Sequence, residues 1–252
     1  MHIKRLALVT GANQGVGLQV AKELVAHGLT VLVGSRNFER GEAAAKAIGT
    51  GAIALQLDVR DHASITAAAE RVRCDFGRLD VLIQNAAISN TSRLPGQSVE
   101  EHAKTTRPSV VSLAEMRAVW ETNVFGVLAV YQAMVPLLRK SQNARIVNVS
   151  SGAGSLARNS DPAHFGRSIF GPTYAASKTA LNALTIAMAI ELEPEGIKVN
   201  AVSPGFIKTN LNNYGGTGTL EEGAREVVRV ALLGPDGPTG TFTRWENETI
   251  PW

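Results

Sequence analysis

Two residues in the stretch GPTYAASKTALNALT (171–185) could do chemistry together. Tyr174 and Lys178 lie four positions apart in an alanine-rich run, and residues at i and i+4 share one face of a helix. The pair is either surface decoration or an acid held beside a fixed positive charge. The rest of the chain decides between these.

A second chemical feature is TGANQGVG, Thr10 to Gly17, which follows an apolar run and opens a helical pattern. A glycine-rich turn between strand and helix lets the backbone approach a pyrophosphate and aims helix N–H groups at it. The spacing is G-x-x-x-G-x-G, so Gly11, Asn13, Gln14, Gly15, Val16 and Gly17 are candidate cofactor-binding residues. The next apolar run, TVLVGS, ends at Ser35 and Arg36, with no carboxylate before Glu39. An acid there would accept bonds from a ribose 2′-hydroxyl; an arginine instead suits a 2′-phosphate, which it can grip in fork geometry. The expected cofactor is therefore NADP(H) and not NAD(H). Gln14 is not basic, which leaves Arg36 to hold the phosphate nearly alone.

These residues need a scaffold, and the pattern of the chain supplies one. Candidate strands are residues 3–10, 30–35, 52–58, 79–85, 144–150, 197–203 and a short last one at 240–245. Most are continuous apolar runs, as expected of a parallel sheet covered on both faces. Helical patterns lie between them at about 15–27, 37–48, 61–76, 112–140 and 173–193. The alternation predicts an α/β, Rossmann-type doubly wound parallel sheet of about seven strands, in one domain over residues 1–252. Two segments break the rhythm: 89–110, polar with two prolines, and 152–172, rich in Gly, Ser and Pro. Both follow strand C-termini, where doubly wound sheets bind ligands.

Composition narrows the function classes. The chain has 252 residues, 44% of them hydrophobic and 19% charged, which suits a globular protein. Its net charge is +3, but basic and acidic residues alternate and make no patch of the kind nucleic-acid binding needs. The apolar runs fall short of the ~18 residues of a membrane span. The opening MHIKRLALVTGAN imitates a secretory leader, yet its apolar part is short and runs into the glycine turn. One cysteine, Cys74, cannot form an internal disulfide, so the expected location is the cytoplasm. His102 and His164 lack spaced partners for a metal, and none is expected; either histidine suits solvent or the edge of a substrate site. Trp120, Trp245 and Trp252 are expected to pack core or terminus.

Taken in order along the chain, several motifs together resemble the short-chain dehydrogenase/reductase family over nearly the whole length. They are TGANQGVG, Asp58 with Val59 after the third strand, QNAA (Gln84 to Ala87), and Asn123 within the long helix. NVSS, YAASK, and SPG with Thr209 beyond it complete the set. The 152–172 insertion and the ending GPTGTFTRW resemble the NADPH-dependent carbonyl reductase branch.

The resemblance implies a hydride passing between a nicotinamide and a carbonyl carbon, with Tyr174 giving or taking the proton. Lys178 would hold the ribose and depress the phenol, which titrates near 10 when free. A shift of two units takes roughly 3 kcal/mol, within reach of a close ammonium in a partly dry cleft. Ser151 would polarise the substrate oxygen, with Ser150 as the competing choice; strand alternation points the two apart. The family places this serine closer to its tyrosine than the 23 positions found here, so the extra segment should loop out. Asn123 would hold a water that relays protons to the lysine. Asn85 and Ala86 would border the cofactor, and Pro204, Gly205, Ile207 and Thr209 would line the carboxamide. NNYGGTGTLEEG (212–223) resembles a mobile substrate lid. The expected substrate is a small carbonyl compound, with oxidation of an alcohol or polyol, or a non-catalytic NADP(H) sensor, as alternatives. A monomer or dimer is expected, because the insertion can cover the surface through which many relatives form tetramers.

Overall fold

The structure, a computed structural model, describes residues 4–94 and 96–252. Its centre is an eight-stranded sheet in the order β3-β2-β1-β4-β5-β6-β7-β8. The strands are β1 (Leu6–Val9), β2 (Thr30–Ser35), β3 (Ala52–Gln56), β4 (Val81–Gln84), β5 (Arg145–Val149), β6 (Lys198–Val202), β7 (Phe242–Arg244) and β8 (Glu248–Thr249). Neighbours run parallel except β8, which returns antiparallel along β7 with Thr243 opposite Thr249. The expected seven strands are all present, and β8 is the addition. The first expected strand begins at Leu6; residue 3 lies outside the described residues. The chain winds outward from β1 to β3, then returns to the other side of β1 with β4. That reversal opens a crevice at the strand C-termini.

The apolar runs are continuous because both faces are covered. Leu6, Leu8, Leu82, Ile146 and Val199 enter one core with α3 (His62–Phe76), α6 (Gly126–Leu138) and α8 (Tyr174–Leu192). Their neighbours Ala7, Val9, Val81, Ile83 and Val147 enter the opposite core with α1 (Gly15–Ala26), α2 (Phe38–Ile48) and α9 (Leu220–Ala231). Alternation along each strand thus feeds two cores rather than one core and solvent.

Two regions differ from expectation. The 112–140 helix is α5 (Leu113–Trp120), a wide π turn at Glu121–Phe125, and α6. Leu113–Leu138 is long and apolar enough to cross a bilayer by composition, with a mean hydropathy of 1.2, contrary to the shorter runs expected. However, 61% of its most apolar window is buried inside the protein, as in a core helix. The 212–223 segment is not a lid along its whole length, because α9 begins at Leu220. Thr219 and Glu222 form a reciprocal cap there, and the Val227, Val228 and Ala231 face that follows is buried. Upstream, the chain folds tightly on itself: the Lys208 N–H donates to Gly218 O (2.9 Å), and a Cβ at Gly216 would overlap the Ile207 backbone. The glycines serve that close packing.

The two long loops carry structure of their own. Segment 89–110 contains α4 (Val99–Thr105), capped reciprocally by Ser98 and Glu101; Pro95 lies outside the described residues. Segment 152–172 contains α7 (Leu156–Ser160) between two 3₁₀ turns. It loops out between β5 and α8 as expected, and Ala157 N–H donates to Trp252 O (2.9 Å). Of the tryptophans, Trp252 stacks on Phe242, Trp120 donates to Pro172 O (3.0 Å), and Trp245 lies exposed beside Arg225.

Candidate active site

A cleft of about 580 Å3 runs across the C-terminal ends of the strands. Of the site residues singled out in the sequence, all but Asn123 line it.

Gly11 (φ +64°) and Gly15 (φ +59°) hold the turn after β1 in the left-handed region, which favours glycine. A Cβ at Gly11 would stand 3.0 Å from Ala86 Cα, and one at Gly17 would overlap the Asn85 amide. The turn is pinned to β4. Asn85 Nδ2 donates to Thr10 O (2.9 Å) and Gly11 O (3.2 Å), while Thr10 Oγ1 accepts from the Asn85 and Ala86 N–H groups at 3.0 Å each. Asn85 therefore positions the turn as well as bordering the cleft. α1 begins at Gly15 with no side-chain cap from Gln14, so its first N–H groups remain for a ligand anion.

At the end of β2, Ser35 is buried and donates to Asn37 O (2.8 Å). Arg36 is exposed at the cleft, and Arg40, in the first turn of α2, borders the same space. Neither forms an ion pair among the described residues. The expectation that Arg36 stands nearly alone is thus corrected. Arg40 was legible in principle, since the chain re-enters the same face within one turn of Asn37, the α2 cap. Arg60 also borders the cleft, beside Asp58 with Nε 3.7 Å from Oδ1.

Tyr174 opens α8, and Lys178 lies one turn along it, with Nζ 5.7 Å from the phenol ring centroid. Lys178 is 3% exposed, and its Nζ donates to Val149 O (2.8 Å). Burial lowers the lysine to about 7. Burial also pushes the Tyr174 phenol above its ordinary value, while hydrogen bonding with Ser151 pulls the other way. The expected depression of the tyrosine is therefore not a property of the chain alone. Desolvation outweighs a lysine that is itself half neutral near pH 7.

Both serines border the cleft, but they differ in what their hydroxyls hold. Ser150 is buried and donates to Asn182 Oδ1 (2.6 Å) on α8. Ser151 turns into the cleft, accepting from the Ala153 N–H (3.2 Å). Asn123, fully buried in the π turn, does not reach the cleft. Its Nδ2 donates to Ile88 O (2.9 Å) and Ser177 Oγ (3.0 Å), and its Oδ1 accepts from Ile88 N–H (3.0 Å). Ser177 Oγ donates in turn to Tyr174 O (2.7 Å). The side chain is thus a clamp between the β4 loop and the head of α8. Its side-chain polar atoms are committed to protein, so any part in a proton relay would fall to its backbone carbonyl.

Arg93 and His102, from the segment between β4 and α5, also line the cleft. The histidine was expected at a substrate edge or in solvent; nothing in the spacing of the sequence marks the arginine.

The family model for short chain dehydrogenases matches residues 5–218. Among curated relatives, Short-chain dehydrogenase anuI of Penicillium roqueforti is 38% identical over 257 residues, covering 98% of this chain and 96% of the relative. Salutaridine reductase of Papaver somniferum is 32% identical over 295 residues, covering 95% and 94%. The solved structure of that reductase superimposes with a TM-score of 0.80 at 30% identity, covering 95% of this chain and 99% of that one. NADPH-bound carbonyl reductase from chicken fatty liver gives 0.79 at 28%, covering 99% of each chain. With the doubly wound sheet, the glycine turn and the Ser-Tyr-Lys wall in place, the chain belongs to the short-chain dehydrogenase/reductase family of oxidoreductases.

Proposed function

We propose that the protein uses NADPH to reduce an aldehyde or ketone to an alcohol. The observation that carries this reading is the convergence of Ser151, Tyr174 and Lys178 on one wall of a cleft whose β2 end bears Arg36 and Arg40 without a carboxylate partner. A nicotinamide dinucleotide supplies the hydride when bound, and the chain fits one. Gly11 and Gly17 pack the turn tightly against Ala86 and Asn85, and the uncapped start of α1 suits a pyrophosphate. Arg36 and Arg40 would hold the 2′-phosphate, and Asp58, Val59, Asn85 and Ala86 would border the nucleoside. Pro204, Gly205, Ile207 and Thr209 would line the carboxamide.

In the reaction, Ser151 donates a hydrogen bond to the substrate oxygen, where negative charge develops. Tyr174 delivers the proton that converts this oxygen to a hydroxyl. Lys178 keeps N–H groups for the ribose beyond its bond to Val149 O. Its low pKa also lets it return a proton to the phenolate, which leaves a neutral phenol beside a neutral amine until the lysine takes up a proton again. A tyrosine held neutral by burial is a competent acid at neutral pH, which favours the reductive direction.

The test is the fall of NADPH absorbance with a panel of aldehydes, ketones and diketones, run beside Tyr174→Phe. Turnover is expected with some of them, falling 10²-fold or more in the variant while NADPH fluorescence on binding persists. Binding of NADPH with no carbonyl reduced, together with NADP⁺-dependent oxidation of an alcohol, would overturn the direction. Turnover unchanged in Tyr174→Phe would remove the tyrosine from its role.

A further inference from the structure

The ionisable lining of the cleft is almost entirely free of acid. Arg93 and His102 border it, and among the described residues the only carboxylate lining it is Asp58, which follows β3. A pocket that faces its ligand with cation and donor, and no acid, is poorly suited to a cationic substrate and well suited to an anionic one.

The arginine is built into place. Its Nε and Nη2 both donate to Gln97 O, at 2.9 and 2.7 Å, and its backbone N–H donates to Asn90 Oδ1 (3.1 Å). Those bonds fix the guanidinium plane and leave the Nη1 edge with no acceptor among the described residues. No ion pair among the described residues includes it. The nearby acid is already used: Glu115 is buried, and its oxygens accept from the Thr91 N–H (2.6 Å) and the Thr91 hydroxyl. His102 Nε2 is buried and has no hydrogen-bond partner among the described residues. Burial, then the charge of Arg93, lowers the imidazole below its ordinary value, so at neutral pH it is a neutral ring that can donate or accept. An unpartnered buried nitrogen costs stability unless a ligand completes it. The same cleft has apolar wall from Val99, Ile169, Phe206 and Leu211.

We propose that Arg93 and His102 form a recognition site for a carboxylate, so that the substrates are oxo acids with their carbonyl at Tyr174 and their acid at this pair. The proposal rests on the carbonyl-reductase reading above and names its substrate class. A carboxylate can take a guanidinium edge and an imidazole N–H together, and the apolar wall fits the carbon spacer. Arg93 and His102 are then specificity residues that act on binding more than on the proton transfer.

The probes are ω-oxo carboxylates of increasing chain length, each paired with its methyl ester, which keeps the carbonyl and removes the charge. In the wild type, the acid should exceed its ester in kcat/KM at one or more lengths. Arg93→Met should lower that acid-to-ester ratio tenfold or more, through KM of the acids, and Arg93→Lys should restore part of it. His102→Leu should lower it less. Esters preferred at every length, or acids and esters that lose equally in Arg93→Met, would overturn the proposal. If no compound is turned over, the carbonyl-reductase reading fails while this site still has a separate readout. Calorimetry of the saturated alkyl dicarboxylates against NADPH-loaded wild type should then show binding that Arg93→Met weakens tenfold, and equal binding by both would overturn it. A variant that fails to fold is recognised by its far-UV circular dichroism, and Arg93→Lys then carries the comparison.

Discussion

Replacing Lys178 by methionine keeps the length of the side chain and removes its charge. The folded protein holds this amine near 7, against 10.5 for the ordinary group, because the chain buries it with only Val149 O as partner. Its folded pKa is depressed, so the unfolded state binds the proton more tightly. The resulting penalty on folding is complete below pH 7 and fades as pH rises to 10.5. At about 1.36 kcal/mol per unit, the amine costs the fold about 4 kcal/mol at pH 7 and about 1 kcal/mol at pH 9.5. Methionine escapes that cost at both pH values. It also leaves Val149 O unpaired, which costs about 1–3 kcal/mol independently of pH. Urea unfolding of both proteins at the two pH values separates the contributions, since every other titrating group is common to both. The stability of the variant relative to wild type should be about 3 kcal/mol more favourable at pH 7 than at pH 9.5. A relative stability that does not change between them would show that Lys178 keeps its proton in the folded protein, and the proposed proton return to Tyr174 would fall with it.

Other perturbations have equally specific outcomes. Arg36→Asp should reverse the preference for NADPH over NADH, and Arg40→Ala alone should weaken NADPH affinity about tenfold with little effect on NADH; steady-state KM values for both cofactors read this directly. Ser151→Ala should lower kcat about 10²-fold at unchanged stability, whereas Ser150→Ala should cost about 1–2 kcal/mol in urea unfolding by leaving Asn182 Oδ1 unpaired. Loss of activity of the same size in both would mean that the two serines are not divided as described. Asn123→Ala should cost about 2–4 kcal/mol of stability, because it strips partners from Ile88 and Ser177 in a fully buried position. A variant of wild-type stability that has lost activity would restore a direct role for Asn123 in proton transfer.

Much of this was legible in the sequence. Strands 30–35 and 144–150 announced themselves as unbroken apolar runs, because each side of the sheet meets its own layer of helices. The glycine turn was readable because strand, turn and helix are contiguous, and Tyr174 and Lys178 because helical spacing is a local rule. The α9 cap, Thr219 with Glu222, was in the sequence too, but its glycine-rich approach read as a loop. What local rules cannot carry is burial and direction. Whether Ser150 or Ser151 keeps its hydroxyl free for the cleft depended on which of them meets Asn182 of α8. Asn123 was singled out for the reaction, and the packing of the π turn against Ile88 and Ser177 showed that its side chain is also a clamp. The tyrosine and lysine were named by sequence, but their protonation was set by desolvation, which exists only once α8 is laid against β5. Charge needs solvent or a partner, and only the folded chain decides which groups keep either one.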